Sequence, residues 1–126
     1  MREVLLKIDM GKYKVVELTL EEAKKLLEEV SKRLGTETKD LRESFRILNN
    51  FDEYLSYQKR KFKDYITPDK DVSEMIRGIV AVDNIKLGKI GEKKLVTIVF
   101  DRRLKTELII DSLKSLGFSV KVERVV

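Results

Sequence analysis

At Thr19 the chain changes its hydrophobic period, and that change constrains the fold more than any residue count. Before it, Val4, Leu6 and Ile8 alternate with Glu3, Lys7 and Asp9, the period of two that lays one face of a strand on a core. Asp9-Met10-Gly11-Lys12 supplies a turn and Tyr13 to Leu18 resumes an extended, β-branched run. The segment therefore predicts a β-hairpin. After Thr19, the residues Leu20, Ala23, Leu26, Leu27, Val30 and Leu34 share one side of a helix. Thr19 and Glu22 have the spacing of a capping box. Glu21–Lys25, Glu28–Lys32 and Glu29–Arg33 are i,i+4 pairs in the favourable order, and Gly35 is placed to end the helix.

The middle of the chain predicts more helix. Residues 39–48 place Leu41, Phe45 and Leu48 on one side, and Asn49-Asn50 could break the helix there, so the stretch to Ile66 reads either as two helices or as one bent rod. A third helix is expected from Phe51 to Ile66, its apolar stripe being Phe51, Tyr54, Leu55, Phe62, Tyr65 and Ile66, with Thr67-Pro68-Asp69 as the stop. Asp71 and Glu74 suit the start of a short helix over 72–80, although Ile79-Val80-Ala81-Val82 reads equally well as a strand. Ile85 to Ile90, the turn Gly91-Glu92, and Lys94 to Phe100 form a second hairpin. The tail predicts a βαβ unit: strand 94–100, helix 102–116, Gly117, strand 118–125. That helix has apolar residues on more than one side, Leu104 and Leu108 as well as Ile109, Ile110, Leu113 and Leu116. It should touch a second layer besides the sheet, either another helix of this chain or a partner subunit.

Together these elements predict one α+β domain over residues 1–126: a mixed β-sheet from two hairpins and a C-terminal βαβ unit, with three to four helices packed on it. The closing strand, ending in Val125-Val126, is expected at an edge, where an apolar strand needs a partner or a cover. A homodimer would supply one.

Composition limits the chemistry. The 126 residues include no Cys, no His and no Trp, which removes disulfides, zinc fingers, haem and iron–sulfur ligation, and nucleophiles activated by His. Gly-x-Gly-x-x-Gly, P-loop, EF-hand and nucleophile-elbow signatures are absent from the sequence. Gly88-Lys-Ile-Gly91 fits a hairpin turn better than a nucleic-acid clamp. No cofactor is called for. Charged residues make up 39% of the chain against about 25% in an ordinary globular protein, a composition that points to a thermophilic source. No apolar run is long enough to span a bilayer and no signal peptide is visible, so the expected location is cytoplasmic.

The net charge of +5 resides in residues 38–70 and 94–126, and this defines the first candidate site. Tyr57, Lys59, Arg60, Lys61 and Lys63 lie outside the apolar stripe of the third helix, where the cations could meet phosphates and the ring could stack on a base. A solvated helix face explains the same residues. The second candidate is Arg102 and Arg103, expected at a helix N-terminus where cations are out of place for the macrodipole but suited to an anion. Asp101 capping that helix, with the arginines paired to neighbouring acids, is the competing explanation. The third is Asp9, Asp83 and Asp101, each closing an apolar run. If they converge they could hold Mg²⁺ in a metal-dependent nuclease, although Asp is common where a strand gives way to a turn.

The reading is a small non-catalytic protein that binds nucleic acid, DNA or RNA, through residues 57–63 with help from Arg102 and Arg103. The alternative is an assembly subunit acting through helix 102–116 and the C-terminal strand. The metal nuclease ranks third.

Overall fold

In a computed structural model, which describes residues 2–125, the protein is an α+β structure. Its ten elements run β1 (Glu3–Asp9), β2 (Tyr13–Thr19), α1 (Leu20–Leu34), α2 (Lys39–Asn49), α3 (Phe51–Arg60), α4 (Val72–Arg77), β3 (Val82–Ile90), β4 (Lys93–Phe100), α5 (Thr106–Ser115) and β5 (Ser119–Val125). The five strands form one mixed sheet in the order β3-β4-β2-β1-β5. All neighbours are antiparallel except β1 and β5, which run parallel from Glu3↔Ser119 to Asp9↔Val125.

β4 and β5 point the same way, as a βαβ connection requires, but β2 and β1 lie between them. The crossover through α5 therefore spans two strands and places β5 at the edge. Val126 lies outside the described residues.

Alternation decides which face the helices cover. Val4, Leu6 and Ile8 of β1, Val16 and Leu18 of β2, and Val96, Ile98 and Phe100 of β4 are buried. They meet Ala23, Leu26, Leu27 and Val30 of α1, Leu41 of α2, Leu55 of α3 and Ile109 and Leu113 of α5 in one cluster, Ile8 alone standing apart from it. The intervening strand residues, among them Leu5, Val15, Glu17, Thr97 and Val99, face away from it. One face of the sheet is thus covered and the other open.

α1 begins as the sequence predicts. Thr19 Oγ1 accepts from the Glu22 N–H, Glu22 Oε1 accepts from the Thr19 N–H at 2.9 Å, and Gly35 closes the helix at φ 75°. The extra apolar face of α5 is also accounted for: α5 packs beside α1, with Leu108, Ile110 and Leu116 partly buried against the core. The second layer is a helix of this chain.

Two helix boundaries differ from expectation. α3 ends at Arg60, six residues short of Ile66, and α5 begins at Thr106, not at residue 102. The short helix of the 71–82 stretch forms over Val72–Arg77, capped by the Asp71 side chain, and β3 starts at Val82. No helix among the described residues is long and apolar enough to cross a membrane.

Candidate nucleic-acid interface

The early end of α3 creates one of two places among the described residues where an exposed, large apolar residue turns left-handed, the other being Met10 in the β1–β2 turn, at φ 54°. Lys61 caps the helix, Phe62 N–H donates to the Lys59 carbonyl at 3.2 Å, and Lys63 N–H donates to the Gln58 carbonyl at 3.0 Å. This is the Schellman pattern of bonds, in which the residue after the cap turns left-handed and is usually glycine. Here it is Phe62, at φ 51°. A non-glycine residue in that region costs roughly 1 kcal/mol or more. Its ring is 95% exposed, so burial does not offset the cost.

Cations surround that ring in sequence. Lys59, Arg60, Lys61 and Lys63 are all exposed, and among the described residues none of them pairs with a carboxylate. Tyr57 is half-buried one turn earlier. The expectation that Phe62 belongs to the core stripe is corrected: it stands at the tip of the basic surface.

The tip is tied to the sheet from below. Gln58 is buried, and its side-chain amide behaves like a strand neighbour of β3. Nε2 donates to the Leu87 carbonyl at 2.9 Å, and Oε1 accepts from the Leu87 N–H at 3.0 Å. Two residues before Leu87 on β3, Ile85 exchanges backbone hydrogen bonds with Ile66 at 2.7 and 2.9 Å. Between them they close the β3 edge over Ile85 and Leu87, the kind of cover an edge strand needs.

Arg102 and Arg103 sit elsewhere, in a turn after β4 and not at a helix N-terminus. Arg103 forks onto Asp101, Nε to Oδ1 at 2.8 Å and Nη2 to Oδ2 at 3.0 Å, while its Nη1 donates to the Met75 carbonyl at 2.8 Å. Burial would push the Asp101 carboxyl up, but the Arg103 side-chain and backbone hydrogen bonds outweigh it and hold the group below the usual carboxylate range. Lys14 secures the same turn from β2. Its buried ammonium donates to the carbonyls of Arg102 and Leu104 at 2.9 and 2.8 Å. Burial pulls that ammonium below the usual lysine range, against the opposing pull of Asp101 and Glu107. Arg103 is thus a fastener between β4 and α4, and Arg102 is left exposed.

The three aspartates do not gather. Asp101 is committed to Arg103, Asp83 Oδ1 lies 3.8 Å from Lys70 Nζ, and Asp9 is exposed at the end of β1. Among the described residues no three carboxylates are placed to hold a metal ion. Another aspartate has a role the sequence did not reveal: Asp40, fully buried, accepts the N–H groups of Ala81 and Val82 at 2.8 and 2.7 Å and so clamps the start of α2 to the start of β3.

Comparison with protein-family models, with curated proteins and with solved structures gave no match.

Proposed function

We propose that the protein binds nucleic acid through the C-terminal tip of α3. The observation that carries this reading is Phe62, an exposed residue held in a left-handed conformation by the Schellman bonds and flanked in sequence by four cations that pair with no carboxylate among the described residues. Two stability costs are accepted at one residue, and strain of that kind concentrates at functional positions. Lys59, Arg60, Lys61 and Lys63 would neutralise phosphates and release counterions. Phe62, with Tyr57 behind it, would stack on a base. The reading rests on these residues, since the guanidinium of Arg103 is already occupied by Asp101; Arg102 remains available as an auxiliary cation.

Fluorescence anisotropy against labelled single-stranded DNA, RNA and duplex DNA tests it, at low and near-physiological salt. Wild-type binding should fall with salt, and the triple variant Lys59→Glu, Arg60→Glu, Lys61→Glu should lose it. Absence of binding at low salt by folded protein would contradict the proposal.

One observation favours the second reading, an assembly subunit or homodimer. α4 buries no side chain, and Val72 and Ile76 are 69% and 82% exposed, an apolar surface of the kind partners cover. Analytical ultracentrifugation separates the two readings: an oligomer that dissociates in Ile76→Asp, with no polyanion binding, would favour assembly.

A further inference from the structure

The face of the sheet turned away from the helices carries a feature that bears on which nucleic acid the tip would hold. A depression of about 320 Å³ is lined by Asp9, Tyr13, Val15, Asp83, Asn84 and Val99, with Tyr65 as its outer wall. Tyr65 reaches this face because its neighbour Ile66 pairs with Ile85 on the β3 edge. In extended chain successive side chains point to opposite faces, so Ile66 enters the core and Tyr65 the open side.

The arrangement suits a nucleobase. Val15 and Val99, paired across β2 and β4, make an apolar floor, and two tyrosine rings make the walls. Each ring has a cation near it: Lys86 Nζ lies 6.0 Å from the Tyr65 centroid and Lys12 Nζ 5.6 Å from the Tyr13 centroid. Asp9 and Asp83 belong to the lining itself, where their charge repels a phosphate. The phosphates are therefore left to the outer lysines, and the neutral base is the part that enters. Phe62 and Tyr65 are three residues apart, at most about 11 Å along the chain, with Lys63 and the exposed Asp64 between them. A single strand can thus cross from one ring to the other.

A duplex cannot use such a surface, because its base faces are stacked on one another. Aromatic platforms take bases from single strands. Resting on the nucleic-acid reading above, we propose that the ligand is single-stranded, and that it runs from Phe62 over the β3 edge and places a base between Tyr65 and Tyr13.

The test compares a labelled single-stranded 12-mer with a hairpin duplex of the same composition. Wild type is set beside Tyr65→Ala, Tyr13→Ala and Tyr65→Phe, each checked for folding by thermal melt. The single strand should bind at least tenfold more tightly than the duplex. Each alanine variant should weaken single-strand binding about tenfold, and Tyr65→Phe should retain it. Because the chain has no Trp, tyrosine emission reports stacking, and in Tyr57→Phe protein, which lacks the tyrosine of the α3 tip, it should still be quenched on saturation with the oligonucleotide. This second readout stands even where an alanine variant fails to fold. Duplex binding as tight as single-strand binding, alanine variants at wild-type affinity, or unquenched tyrosine emission would each overturn the inference while leaving the α3 tip as a binding surface. Failure of the folded protein to bind either form would remove both.

Discussion

Phe62 makes opposite demands on stability and on binding. Glycine adopts the left-handed region without a Cβ penalty, and space around the position is open because the side chain is 95% exposed. Phe62→Gly is expected to stabilise the fold by about 1 kcal/mol, a rise of a few degrees in Tm, read by calorimetry. Asp101 works in the other direction. Asp101→Asn replaces the charge that Arg103 forks onto and should cost about 2 kcal/mol, measured by urea unfolding. The pH dependence follows from the lowered Asp101 carboxyl. Between its folded pKa and its ordinary value of about 3.9, the unfolded chain binds more protons, so stability rises with pH across that window. Acidification should erase the wild-type advantage over Asp101→Asn, and the advantage should be flat near neutrality. The roles of Asp40, Lys14 and Gln58 are illegible in the sequence for one reason. Each resembles a solvent-facing residue by type and is buried only because a distant backbone group pairs with it.

At the scale of the element, legibility followed the source of each boundary. β1, β2 and α1 were readable because alternation, capping box and terminal glycine agree, and all three signals are local. Thr19→Ala should therefore behave as an ordinary cap loss, costing about 1 kcal/mol. The end of α3 was not readable because Phe62 occupies the position where glycine would announce a stop, and its spacing from Leu55 continues the helical stripe. The start of α5 was missed because Asp101 does not cap a helix: it accepts from the Arg103 N–H at 2.9 Å within a separate turn. Tertiary contacts also fix the tip. Gln58→Leu would strand the Leu87 N–H and carbonyl, reopening the β3 edge. It is expected to cost about 2 kcal/mol or more, with faster amide exchange concentrated at Leu87 and in residues 58–63.

For the whole molecule, the layout separates support from presentation. Helices α1, α2, α3 and α5 cover one sheet face and supply the core. The other face and the α3 tip stay open, bearing aromatic rings and cations. The sheet and its covered face were legible from periodicity. The open face was not, because residues 64–66 were expected to be helix and only their extended pairing with β3 turns Tyr65 toward Tyr13. The net charge of +5 matters here through its placement. If the four tip cations meet four phosphates of a single strand, log K should fall with log salt at a slope of about 3, and Lys61→Ala, which removes one contact, should lower that slope by about 0.7. The most direct test of the binding account is the affinity of Phe62→Gly for a single-stranded oligonucleotide at fixed salt, measured beside its melt. The account predicts a protein that is more stable than wild type yet binds about tenfold more weakly, with its salt slope unchanged. A stabilised variant that binds as tightly as wild type would contradict it, and would leave Phe62 as strain without a ligand.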